Sequence, residues 1–190
     1  MDDGVHLTRR TAALALLLAG LPLHGLATRH ALPPELAGEL PGARLLGTGS
    51  LRYLGLLIYD IRLWVPGTEA LREPGAAPLA LELEYARSLG GRAMAERSLK
   101  EMQGIDTVAT AQGERWLAQM QQIFPDVKAG DRLTGVQRPG ETARFFVNGQ
   151  VSGEVRDAEF TRLFFGIWLS PRTSQPKLRE ALLGTRVGKS

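Results

Sequence analysis

The segment ARLLGTGSLRYLGLLIYDIRLWV, residues 43–65, sets the fold class of this chain. In its second half, large apolar residues recur at nearly every other position, at Tyr53, Leu57, Tyr59, Ile61, Leu63 and Val65. Such alternation is typical of a β-strand with one buried and one exposed face. Glycines break the first half of the segment. The pattern therefore predicts two strands that meet near Gly47-Thr48-Gly49, with a bulge at Gly55 in the second strand.

Further strands are predicted on both sides of the chain's centre. Residues 78–87 (PLALELEYAR) alternate again, with leucines and Tyr85 on one face and two glutamates on the other. Residues 125–155 predict strand, turn, strand, turn and strand. The second of these turns contains Asn148-Gly149, a pair favoured in two-residue type I′ hairpins because both residues tolerate a positive φ.

Four helices are predicted from apolar residues at helical spacing, over residues 90–103, 110–123, 158–169 and about 174–184. Asp157 is a favourable N-cap for the third helix. Pro171 ends that helix, because the residue before a proline disfavours the α region. Gly184 lies where a helix C-cap belongs.

Composition excludes several classes of function. The chain has 190 residues, enough for one domain with a sizeable core, and its net charge is only +3. The basic residues are spread along the chain, so no nucleic-acid partner is predicted. There is no cysteine, and the three histidines are His6, His24 and His30. Disulfides, thiolate nucleophiles, histidine triads and His- or Cys-ligated metals are therefore not expected in the body of the chain.

The N-terminal residues 1–27 have the pattern of an export signal. Paired arginines, Arg9 and Arg10, precede an apolar run of roughly a dozen residues, which is too short to span a bilayer comfortably. Small residues end the run, and cleavage is predicted after Ala27. The arginine pair resembles a twin-arginine signal. We expect a periplasmic protein that contacts the membrane only through the uncleaved signal. A retained anchor is the alternative interpretation.

Four pieces in this order resemble the chalcone isomerase-like family, in its short bacterial form: GTGSLRYLGLLIYDIRLWV, LALELEYARSLGGRAMAERSLKEM, FPDVKAGDRLTGVQRPGETARFFVNGQVSGEV and FFGIWLSPRTSQPKLREALLG. The resemblance predicts a domain over residues 42–184, after a lead-in at 28–41 and before a tail at 185–190. It implies an α+β domain, a curved antiparallel sheet with a layer of helices packed on one face, and the pattern of predicted strands and helices agrees with this. It also implies a cleft for an apolar ligand between the two layers. Plant members cyclise chalcones, and other members lack that chemistry and bind fatty acids.

The resemblance also suggests site residues. The family's strand arginine, which follows a glycine-containing turn, is matched by Arg52. In the enzymes it stabilises an oxyanion, and in fatty-acid binders it can receive a carboxylate, two tasks that suit a guanidinium. The family's downstream polar strand residue aligns roughly with Tyr59. Arg52 and Tyr59 have opposite parity, so they share a face only if a bulge near Gly55 resets the alternation.

Other positions depart from the enzymes' pattern. The tyrosine that precedes the first long helix in the enzymes has no counterpart, and Arg92 lies in that region instead. Gly166 and Trp168 occupy the place of a small hydroxyl residue. These differences argue against chalcone cyclisation. Tyr85 and Arg92 complete the candidate ligand-binding set.

Three functions remain open at this level. The first is a non-catalytic protein that binds a small apolar or amphipathic ligand, such as a fatty acid, with Arg52 as the anion anchor. The second is an isomerase of the intramolecular lyase type that uses Arg52 and Tyr59 to stabilise an oxyanion. The third is a structural or partner-binding periplasmic domain with a filled core. No cofactor is expected, and the oligomeric state is not predicted.

Overall fold

A computed structural model describes Met1, residues 31–67 and residues 76–184. The predicted export signal, apart from Met1, and the predicted tail lie outside the described residues. Six described strands form one antiparallel sheet in chain order: β1 Arg44–Tyr53, β2 Leu56–Val65, β3 Leu79–Tyr85, β4 Arg132–Arg138, β5 Thr142–Val147 and β6 Gln150–Val155. The helices of the same ranges are α1 Pro34–Glu39, α2 Gly91–Ile105, α3 Thr110–Ile123, α4 Ala158–Leu169 and α5 Pro176–Leu183. The α+β architecture is confirmed.

The first hairpin turns at a different place from the one that the sequence predicted. Gly47 and Gly49 lie inside β1, and the chain reverses at Leu54-Gly55, where both residues have positive φ, 49° and 81°. The prediction of a turn near Gly47-Thr48-Gly49 is therefore wrong, and so is the placement of a strand bulge at Gly55.

Helix α5 explains why β1 contains these two glycines. A Cβ atom at Gly47 would overlap the carbonyl oxygen of Leu182, and one at Gly49 would overlap the side chain of Leu178. Both partners belong to α5, which crosses β1 at this point. The glycines therefore allow a helix to approach the strand closely, a role that is distinct from reversing the chain.

Helices α2 to α5 form the layer that covers the inner face of the sheet. Their apolar sides meet the alternating side chains of the strands in one buried cluster, which includes Ile61, Leu81, Met102 and Phe145. The predicted bounds of α3 and α4 are confirmed. Asp157 caps α4 as predicted, because its carboxylate accepts hydrogen bonds from the backbone amides of Glu159 and Phe160. The layer of helices on one face is thus confirmed.

The outer face of the sheet carries helix α1, which comes from the segment predicted as a lead-in. A second apolar cluster joins α1 to the sheet and contains Leu36, Leu40, Trp64, Ala80, Val136 and Phe146. Two glutamates of α1 form ion pairs with strand arginines: Glu35 contacts Arg132 at 3.0 Å, and Glu39 contacts Arg144 at 2.7 Å. The outer face is therefore closed by a short helix that charge pairs hold in place.

Candidate functional site

A cavity of about 310 Å³ lies between the inner face of the sheet and the helices α2 and α4. It is near the end of the sheet that carries the β1–β2 turn. Most of its wall is apolar. The apolar side chains come from the first three strands, the segment after β3, helix α2, the residue that follows α3 and the C-terminal half of α4: Leu51, Ile58, Leu83, Leu89, Met94, Phe124, Phe164 and Ile167. The volume lies at the lower end of the range that is usual for small-molecule sites.

Tyr59 and Tyr85 both line this cavity, one from β2 and one from β3. They are direct cross-strand neighbours, and their rings meet edge to face with centroids 5.9 Å apart. The indole Nε1 of Trp168 on α4 donates to the Tyr59 hydroxyl at 2.9 Å. The hydroxyl therefore keeps its own proton for a further acceptor, such as a ligand oxygen.

Burial keeps both phenols neutral. Loss of hydration on burial raises the pKa of Tyr59 to about 12. The hydrogen bond from Trp168 lowers this pKa, but by a smaller amount. Burial also raises the pKa of Tyr85, and the neighbouring Tyr59 adds to that rise. At neutral pH the two hydroxyls are thus hydrogen-bond donors, and neither is a phenolate base.

The charged groups in the wall are Arg97 and Glu101, one turn apart on α2. Arg97 Nη2 lies 2.5 Å from Glu101 Oε1. The arginine side chain is 62% exposed and the glutamate 15%, so Arg97 marks the mouth and Glu101 lies deeper. This pair was not predicted from the sequence. Their i, i+4 spacing on the stripe of α2 that carries Met94 and Ser98 was the available signal.

Arg52 does not line the cavity, contrary to the prediction that its guanidinium meets a ligand there. It is exposed near the tip of the hairpin, and its Nη1 donates to the Gly55 carbonyl at 3.3 Å. A register shift between Leu51 and Arg52 leaves Ile58 without a partner on β1. The bulge that the parity argument required is therefore present, but Ile58 and Tyr59 both line the cavity while Arg52 does not.

The isomerase hypothesis needed Arg52 and Tyr59 side by side, and the structure does not bring them together.

Arg92 is also outside the cavity wall. It is exposed at the first turn of α2, where it pairs with Glu96 at 2.9 Å. Free backbone amides at the N-terminus of a helix can receive an anion. Instead, the Gly91 amide donates to the carboxylate of Asp126 at 2.8 Å.

Two structural features are absent from the described part of the chain. Across residues 31–67 and 76–184, no cluster of three acidic or histidine side chains is placed to hold a metal ion. Within the same ranges, no helix combines the length and the apolar content needed to cross a bilayer.

Comparison with known proteins gives three findings. A family model described as chalcone isomerase-like matches residues 44–184. An uncharacterised protein of Haemophilus influenzae is 35% identical over 109 residues, which are 56% of this chain and 52% of that protein, so the match spans about half of the relative's length. The crystal structure of a fatty-acid binding protein of Arabidopsis thaliana superposes with a TM-score of 0.62 at 13% identity, covering 76% of this chain and 88% of that one. The chain belongs to the chalcone isomerase-like family.

Proposed function

We propose that this protein binds a small, single-chain amphipathic ligand, of the fatty-acid type, in the cavity between the sheet and α2. The cavity itself carries the proposal, because it has an apolar wall with a guanidinium at its mouth and a phenol donor inside. Arg97 would contact the head group of the ligand, in place of the Arg52 anchor predicted from the sequence. The likeness of fold to a fatty-acid binding protein supports the same class of ligand.

The size of the cavity limits the ligand. Since a water molecule takes up about 30 Å³ of the liquid, a volume of about 310 Å³ holds roughly ten non-hydrogen atoms. This suits one short or medium acyl chain better than a two-chain phospholipid. The third hypothesis, a domain with a filled core, does not account for this open volume.

Proton-transfer catalysis has little support in the cavity wall. The two phenols remain protonated at neutral pH, and the carboxylate in the wall, Glu101, is already paired with Arg97. A general base works best with a pKa near the working pH and without a tight partner. We therefore propose binding without turnover. A saturable rate of chalcone cyclisation at neutral pH that Tyr59→Phe abolishes would contradict this proposal.

Arg97→Gln is expected to lower the affinity for octanoate about tenfold and to leave the affinity for 1-octanol unchanged. A charge-assisted hydrogen bond contributes roughly 1.5–3 kcal/mol, and the exposure of Arg97 places its effect at the lower limit. Glu101→Gln is expected to raise octanoate affinity, because it frees the guanidinium from its competing carboxylate. Isothermal titration of each variant with both ligands measures these changes.

Arg92→Ala is the matched control. Arg92 is also an exposed arginine of α2 with an i, i+4 glutamate partner, but it does not line the cavity. Its loss should leave octanoate binding unchanged. Met94→Trp should reduce the binding of both ligands by filling the cavity. If Met94→Trp folds and binds octanoate as the parent does, the ligand is not in this cavity.

We also propose that the protein is exported. The support is the arginine pair, the short apolar run and the small residues before Thr28. Expressed in a Gram-negative host, the protein is expected in the periplasmic fraction with an N-terminus near Thr28, as measured by mass spectrometry of the intact chain. Recovery of only the full-length chain in the cytosol would contradict the proposal.

A further inference from the structure

The tip of the β1–β2 hairpin exposes three large apolar side chains to solvent. Tyr53 is 64% exposed, Leu54 84% and Leu56 51%. They are adjacent in sequence and surround one tight turn. Most other large apolar residues of the described chain are buried, so this group is a concentrated exception. A contiguous exposed apolar group is a usual sign of an interaction surface.

The turn itself does not explain why leucine occupies position 54. Leu54 has a φ of 49° and Gly55 a φ of 81°, values for which asparagine, aspartate or glycine is preferred at the first position. The chain uses the preferred residue in its other two-residue turn of this kind, where Asn148 has a φ of 49° and Gly149 a φ of 83°. At position 54 a leucine is therefore unfavourable both for the backbone and for the contact with water.

The tip is continuous with the cavity. Tyr53 lines the cavity although most of its surface is in solvent, and Leu51 and Ile58 of the same hairpin line it too. The cavity therefore opens beside the exposed apolar group. A ligand that left the cavity past Tyr53 would pass along the hairpin tip.

The charge of the tip is positive. Residues 51–58 contain one arginine and no acidic residue. The Arg52 guanidinium is exposed and donates to a backbone carbonyl of its own turn, so it can still bind an anion. The nearest acidic residue of the hairpin, Asp60, accepts a hydrogen bond from Ser50 at 2.5 Å.

We propose that the β1–β2 tip docks into the interfacial layer of a phospholipid bilayer. Leu54 and Leu56 would enter the acyl region, Tyr53 would lie at the level of the head groups, and Arg52 would bind a lipid phosphate. The docked tip brings the mouth of the cavity to the membrane surface. A single-chain ligand can then pass between the bilayer and the cavity. This transfer of ligand rests on the proposed function, whereas docking of the tip does not.

A local spectroscopic probe tests docking without interference from the apolar N-terminal segment. The chain has no cysteine, so Leu56→Cys can be labelled at one site with an environment-sensitive fluorophore. Val151→Cys is the matched control, because Val151 is a 57% exposed residue on β6, at the opposite edge of the sheet. Vesicles of phosphatidylcholine and phosphatidylglycerol should shift the emission of the label at 56 to the blue and leave the label at 151 unchanged.

Leu54→Asn, made in the chain labelled at 56, is the decisive variant. It should weaken vesicle binding about tenfold or more, because it removes one inserted leucine. It should not lower the unfolding temperature, because asparagine suits the turn. Arg52→Ala should weaken binding to the anionic vesicles.

Three results would overturn docking. The first is that vesicles cause no emission shift of the label at position 56, and the second is that the labels at 56 and 151 shift equally. The third is that the emission at 56 shifts only when a second protein is added, without any vesicle. Solution titration with octanoate is independent of these measurements. If octanoate fails to bind while the shift at 56 persists, docking stands and the proposed function fails.

Discussion

Phe164→Ala is expected to lower the free energy of unfolding by about 3–5 kcal/mol, the usual cost of truncating a buried aromatic residue. Phe164 lies on α4, is 4% exposed and is at the centre of an aromatic group. Its ring stacks on Phe160 with centroids 5.5 Å apart and meets Phe145 edge to face at 5.0 Å. Phe145 belongs to the sheet, so the ring of Phe164 joins the helix layer to the sheet.

Urea unfolding followed by tryptophan fluorescence measures the effect, and two variants calibrate it. Phe164→Leu keeps most of the volume and should cost less than about 1.5 kcal/mol. Arg162 is on the same helix, and Arg162→Ala removes an ion pair with Asp106 in which both side chains are exposed, so it should cost far less than Phe164→Ala. If Phe164→Ala costs no more than Arg162→Ala, α4 does not carry the packing between the two layers.

Elements with local signals could be predicted from the sequence. Helix α4 combines a capping aspartate, a regular apolar spacing and a proline after its end, and its bounds were correct. Asn148-Gly149 was correct as a turn for the same reason, since the pair itself carries the backbone preference. In these places the residues that cause the structure are neighbours in the chain.

The first hairpin was predicted wrongly because its causes are distant in sequence. Gly47 and Gly49 are explained by α5, which lies more than a hundred residues later, and nothing near them distinguishes a close approach from a turn. The true turn begins with Leu54, which gives no turn signal.

The polar groups of the cavity could be predicted only in part. Tyr59 and Tyr85 lie on the predicted buried face and do line the cavity, whereas Arg52 does not. A one-residue bulge at Ile58 decides which side chains of the hairpin face the helices, and register is not visible in the sequence. Arg97 could be placed on a helix, but which side of α2 faces a cavity depends on the packing of the two layers.

Asp157→Ala is expected to lower the free energy of unfolding by about 2–4 kcal/mol, because one carboxylate does two tasks. Oδ1 accepts from the amides of Glu159 at 2.9 Å and Phe160 at 3.0 Å and so caps α4. Oδ2 accepts from the indole of Trp116 on α3 at 2.9 Å. Loss of a cap costs about 1 kcal/mol, and a stranded donor on a buried side chain costs about 1–3 kcal/mol.

Asp157→Asn separates the two tasks, and pH gives an independent check. Asparagine can still cap α4 with its oxygen, but its amide turns a donor toward Trp116. Burial raises the pKa of Asp157, but the hydrogen bonds from the Phe160 amide, the Trp116 indole and the Glu159 amide outweigh this effect and hold the pKa below its usual value. A lowered pKa in the folded state means that the carboxylate stabilises the protein above its unfolded pKa and loses this effect as the pH falls. The difference in unfolding temperature between the parent and Asp157→Asn should therefore be largest near pH 7 and should shrink below about pH 4. An equal difference at pH 7 and pH 3 would show that the charge of Asp157 contributes nothing to the junction between α3 and α4.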